Sequence, residues 1–69
     1  MKGPYSVTLL DRDGCTMASD EQETIAAART SARMYITDSE YADAGVFKVE
    51  VRDANDVCVF DIFPNQVAA

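Results

Sequence analysis

Between residues 47 and 52 the chain alternates without exception. Phe47, Val49 and Val51 are apolar, while Lys48, Glu50 and Arg52 are charged. Successive side chains of a strand point to opposite faces, so this segment belongs in a sheet with one face buried and the other in water. The sheet it joins is therefore covered on one side only.

The rest of the chain is read around that strand. Tyr5 to Leu10 shows the same period, with Tyr5, Val7 and Leu9 alternating with Ser6 and Thr8. Asp11-Arg12-Asp13-Gly14 is a turn, because Asp can bond its own backbone and Gly accepts positive φ. Cys15 to Ala18 then returns as a short strand. Ser19 stands where an N-cap belongs, with Gln22 three residues on as its capping-box partner. This predicts a helix from Asp20 to about Ile36, with Asp20, Glu21 and Glu23 in the first turn, where the helix dipole favours negative charge. Ile25, Ala28, Ala32 and Tyr35 or Ile36 mark its buried stripe, and Arg29 and Arg33 share an exposed face whose repulsion neighbouring carboxylates relieve.

Thr37 to Gly45 is an acidic connection in which residues 39–42 suit one more helical turn. A second turn follows the alternating strand at Asp53-Ala54-Asn55-Asp56, and Val57 to Phe63 returns as the last strand. Pro64 ends it, leaving a frayed tail over 65–69. Cys58, Phe60 and Ile62 line one face of that strand, with Cys58 in the core, and Val57, Val59 and Phe63 form a partly exposed patch on the other. Hairpin, helix, hairpin is an α+β arrangement: a ββαββ two-layer sandwich, with a four-stranded, mainly antiparallel sheet and one helix on one face. Residues 1–69 make a single domain.

Composition limits the chemistry. There is no histidine, and twelve acidic residues face six basic ones, for a net charge of −6. That balance speaks against direct nucleic-acid binding and against an anionic membrane surface, and favours a basic protein surface as partner. No segment approaches the roughly 20 apolar residues of a membrane span, and Met1-Lys2-Gly3-Pro4 leads into the first strand without a targeting signal, so a cytoplasmic location is expected. Cys15 and Cys58 are expected as reduced thiols, and with no CxxC pair they build no zinc site. Asp11-x-Asp13-Gly14 resembles part of a calcium loop, but Leu9 stands where a first ligand is required, so the turn reading is preferred. No histidine activates a cysteine or serine, and no Gly-rich loop precedes a helix. No catalytic, cofactor-binding or metal-ligating residue is assigned, and no enzyme activity is expected.

The carboxylates fall into three groups. Asp20, Glu21 and Glu23 are accounted for by the helix start. Asp38, Glu40 and Asp43 follow the helix, and Asp53, Asp56 and Asp61 surround the final hairpin. These last six are the candidate partner-binding residues. Converging on one surface, they would imitate a row of phosphates and fit a basic nucleic-acid channel.

At this point the chain resembles a small acidic phage anti-CRISPR protein. The residues that carry the resemblance are the alanine-rich capped segment Ser19-Asp20-Glu21-Gln22-Glu23-Thr24-Ile25-Ala26-Ala27-Ala28 and the hairpin from Val46 to Phe63, in a tiny acidic α/β chain. Within that class it looks most like inhibitors of type I surveillance complexes, type I-C among them. The resemblance implies a stoichiometric inhibitor, a DNA mimic that binds a Cascade subunit and blocks engagement of target DNA in the host cytoplasm. The competing reading is a small homodimeric structural or regulatory module, with Val57, Val59 and Phe63 at the dimer interface.

Overall fold

The computed structural model describes residues 3–64. The elements run β1 (Tyr5–Leu10), β2 (Thr16–Gln22), α1 (Ile25–Thr37), α2 (Ser39–Ala44), β3 (Lys48–Arg52) and β4 (Cys58–Ile62). The four strands form one antiparallel sheet in the order β2-β1-β3-β4, with the helices on one face. The α+β sandwich expected from the sequence is the observed architecture. The expected tail at 65–69 lies outside the described residues.

The two strands with the clearest alternation, β1 and β3, pair with each other in the middle of the sheet. Their apolar sides supply Val7, Leu9, Val49 and Val51, each almost wholly buried. Ala28, Ala32 and Ile36 of α1 complete the core with Val46 and Ile62. The 28, 32, 36 spacing puts these three on one helix stripe. Having no side-chain atoms beyond Cβ, Ala28 and Ala32 let the helix backbone settle closely on the two central strands, and both are fully buried.

The first hairpin departs from expectation. β2 is seven residues long, and its partners run from Leu10↔Thr16 to Tyr5↔Gln22, with a register shift between Leu9 and Leu10. Residues 19–22 are therefore strand, and Ser19 caps nothing. α1 starts at Ile25, where Thr24 is the N-cap: its Oγ1 accepts a hydrogen bond from Ala27 N at 3.1 Å. Pairing along the whole of β1 satisfies the facing backbone groups of both strands, and it outweighs the local capping preference of Ser19 and Gln22. The first turn of α1 holds no acidic residue, so the helix dipole does not account for Asp20, Glu21 and Glu23. Ile25, at the very start of the helix, is 39% exposed rather than part of the stripe.

α2 is the extra helical turn anticipated after α1. Asp38 ends the first helix and caps the second, its Oδ1 accepting from Glu40 N at 2.9 Å. At the other end Gly45 has φ 102°; its N–H donates to Ala42 O and Val46 N donates to Tyr41 O. This pair of bonds is a Schellman closure, which needs the left-handed conformation that glycine adopts without strain. It turns Val46 into the core, while Phe47, expected on the buried face, lies just before β3 and is 44% exposed.

Candidate functional site

The sheet has one covered face and one open face, and the charges are distributed by that geometry. On the open face the register sets Ser6 beside Arg52, Thr8 beside Glu50, and Leu10 beside Lys48, with Glu50 next to Asp61 on β4. Glu50 is at the centre, its side chain only 12% exposed. It accepts from Lys48 Nζ at 2.9 Å and from Arg52 at 3.3 Å, and Arg52 also donates to the Asp56 backbone carbonyl at 2.9 Å. Hydrogen bonding from Lys48, reinforced by Arg52, holds the Glu50 carboxyl below the usual carboxylate range against the opposing effect of burial. The same contacts with Glu50 raise the Lys48 and Arg52 pKa values.

The six candidate residues do not form one surface. α2 precedes the start of β3, and the turn at 53–56 follows its end. Five strand residues at about 3.3 Å each put roughly 15 Å of sheet between the two groups. Asp38, Glu40 and Asp43 are exposed at the α2 end. Asp53 and Asp56 are at the opposite end, and Asp61 projects from the middle of the open face, away from the helices. Several also have structural tasks. Asp38 caps α2, Asp53 Oδ1 accepts from Asn55 N and Val57 N, and Asp56 is 3.7 Å from Arg52.

A different acidic grouping arises from the fold. The β1–β2 turn with Asp11 and Asp13 lies at the same end of the sheet as α2, because Phe47 N donates to Leu10 O at 2.8 Å. Asp11 and Asp13 thus lie at the end of the sheet reached by the C-terminal side of α2, where Arg12 meets Ala42 and Gly45, while Asp38 at the start of α2 lines a separate cleft with Asp20 and Tyr35. An open cleft of about 550 Å³ lies at this end, lined by Arg12, Ala42, Gly45, Val46, Phe47, Phe63 and Pro64. Phe47 and Phe63 meet edge to face at 5.6 Å between ring centres, and Lys48 Nζ is 5.7 Å from the Phe63 ring centre.

Asp20, assigned from sequence to a helix start, is instead on the helix-covered side of β2. Its Oδ2 accepts from Gln22 Nε2 at 2.9 Å and from the Tyr35 hydroxyl at 3.4 Å. Burial first, and the Asp20 charge second, push the Tyr35 phenol above its ordinary value. Asp20 and Tyr35 line a second open cleft with Ser31, Met34 and Asp38. Among the described residues no group of three or more Cys, Asp or Glu is placed to hold a metal ion. No described helix is long and apolar enough to cross a membrane.

Arg29 and Arg33 lie on the β4 side. Arg29 Cζ stands 5.1 Å and Arg33 Cζ 5.8 Å from the centre of the Phe60 ring. The repulsion between these two arginines is thus relieved by an aromatic face and not by carboxylates. The signal was half present in sequence as the four-residue Arg29–Arg33 spacing, but the ring they share is supplied by a distant strand. Cys58, expected in the core, is exposed, as is Cys15, and both are free thiols. A register shift between Val51 and Arg52 leaves Cys58 opposite Arg52 at the outer end of the hairpin. Val57 and Val59 are 55% and 38% exposed at the turn end of β4, whereas Phe63, expected in the same patch, is half-buried at the other end against Phe47. No family model matches the chain, and comparisons with curated proteins and with solved structures found no match.

Proposed function

We propose that this chain is a non-catalytic inhibitor that acts by occupying a basic protein surface, and that its target is a type I CRISPR surveillance complex in the host cytoplasm. The target follows from the resemblance to small acidic phage anti-CRISPR proteins. The observation that supports the mode of action is the end of the sheet where the β1–β2 turn, carrying Asp11 and Asp13, approaches α2, which carries exposed Glu40 and Asp43, on a protein of net charge −6. Glu40 and Asp43 are exposed and free of capping duties, which makes them the first choice for partner contact. A cluster of this sign complements the channel through which such a complex takes DNA. Association is accelerated by the long-range field and weakened by salt, because exposed charges are screened beyond about 8–10 Å at physiological ionic strength.

The test is a Cascade–DNA binding assay with the purified protein added. Inhibition that saturates near one equivalent, weakens with salt, and drops on Glu40→Lys plus Asp43→Lys supports the proposal. Unchanged DNA affinity at a large molar excess rejects blocking of target engagement. The matching control is Asp56→Lys, at the opposite end of the sheet, which leaves inhibition intact if the α2 end makes the contact.

A further inference from the structure

The two outer strands of the sheet are guarded very differently. β2 carries adjacent carboxylates, Asp20 and Glu21, at one border. β4 forms the other border with the sequence Cys58-Val59-Phe60-Asp61-Ile62 and has no lysine or proline within it. An edge strand leaves a row of backbone N–H and C=O groups unpaired, and natural edges are usually blunted by such residues. Here the edge carries exposed Val59, with exposed Val57 just before it.

The two faces beside this edge also differ from each other. Phe60 pairs with buried Val51 and is on the helix-covered face, where Arg29 and Arg33 stand over its ring. Neither arginine makes an ion pair among the described residues. Val59, the residue left over at the register shift between Cys58 and Phe60, is exposed. A strand added beside β4 would therefore meet two guanidinium groups on one face, and exposed Val59 followed by Asp61 on the other.

We propose that the β4 edge is a docking site for an extended segment of a partner protein in which acidic and apolar residues alternate. Backbone pairing along β4 supplies affinity, and the alternation supplies specificity: carboxylates toward Arg29 and Arg33, apolar side chains toward Val57 and Val59. Charge decides between this occupant and a second copy of the chain. Antiparallel β4–β4 pairing about a two-fold axis puts both helices on the same face of the joint sheet, so each Arg29–Arg33 pair would approach its symmetry mate. This site is separate from the acidic end and does not depend on the inhibitor reading.

The probe is an end-capped hexapeptide of alternating glutamate and valine, titrated into ¹⁵N-labelled protein. Amide shifts concentrated on residues 57–62 are expected. Arg29→Glu plus Arg33→Glu should weaken binding at least tenfold, and the milder pair Arg29→Gln plus Arg33→Gln should weaken it in the same direction while keeping the fold. The corresponding lysine–valine peptide should bind at least tenfold more weakly than the acidic one. Shifts confined to β2, no binding, equal affinity for the two peptides, or indifference to both arginine pairs would each overturn the proposal. So would a dimer, seen by light scattering, that Val59→Glu dissociates, since the edge would then belong to a second copy.

Discussion

Asp11 and Asp53 close the two hairpins of the sheet with the same set of hydrogen bonds. Asp11 Oδ1 accepts from Asp13 N at 2.9 Å and Cys15 N at 3.0 Å; Asp53 Oδ1 accepts from Asn55 N at 2.9 Å and Val57 N at 3.1 Å. In both loops the aspartate N–H donates to the carbonyl four residues on, and its own carbonyl accepts from the residue three on. The fourth position has positive φ in each, 82° at Gly14 and 63° at Asp56.

Since the loops match in their hydrogen bonds, the difference at their fourth position, Gly14 against Asp56, is informative. Gly14 takes the left-handed conformation freely, whereas Asp56 is strained there by about 1 kcal/mol. Asp56→Gly should raise stability by up to about 1 kcal/mol, since the exposed Arg52–Asp56 pair that it removes contributes little. Gly14→Ala should lower it by about 1 kcal/mol. Asp11→Ala and Asp53→Ala should each cost about 1–2 kcal/mol through two lost bonds to backbone N–H groups. Urea unfolding of the four variants measures all of these.

The position of the helix start can be tested by two substitutions. Thr24→Ala removes the observed cap and should destabilise by about 1 kcal/mol. Ser19→Ala removes the hydroxyl that the sequence pattern favours and should change stability by less than about 0.5 kcal/mol. A larger loss at Ser19 than at Thr24 would contradict the strand assignment of residues 19–22.

Glu50 links stability to pH. Its folded pKa lies below the unfolded value, so its contribution is present above the unfolded carboxylate pKa and is lost as pH falls through the folded one. Glu50→Gln should therefore lower stability at pH 7, by about 1 kcal/mol, and the difference from wild type should shrink toward zero as pH falls below about 4. A difference that persists undiminished at pH 3 would assign the loss to packing instead of charge.

Close packing of α1 makes Ala32 intolerant of size. With both Ala28 and Ala32 fully buried, Ala32→Leu forces the helix away from Val7, Leu9, Val49 and Val51 and should cost about 1–3 kcal/mol. Ala26→Leu, at an exposed position of the same helix, is the control and should be close to neutral. Thermal melts followed by circular dichroism separate the two.

Strand alternation at Tyr5–Leu10 and Lys48–Arg52, both turns and the extra turn at α2 were legible from sequence because their signals are local: period, Asx bonding and glycine. The false N-cap at Ser19 shows the limit of that reasoning. Capping residues also suit a strand end, and only the length of the partner strand decides between them. The candidate site was less legible. Group membership was assigned along the chain, and β3 then set Asp38, Glu40 and Asp43 at one end of the sheet and Asp53 and Asp56 at the other.

By itself the amino-acid order determined the one-sided sheet, its four strands and the acidic balance, because alternation and composition act within a few residues. Tertiary structure decided which charges meet. Pairing of β1 with β3 brought the Asp11–Gly14 turn beside α2 and so made the acidic end, and packing of α1 over β4 set Phe60 beneath Arg29 and Arg33. Both outcomes depend on strand order and helix placement, which arise from burying Val7, Leu9, Val49 and Val51 against Ala28 and Ala32 and are carried by no single local signal.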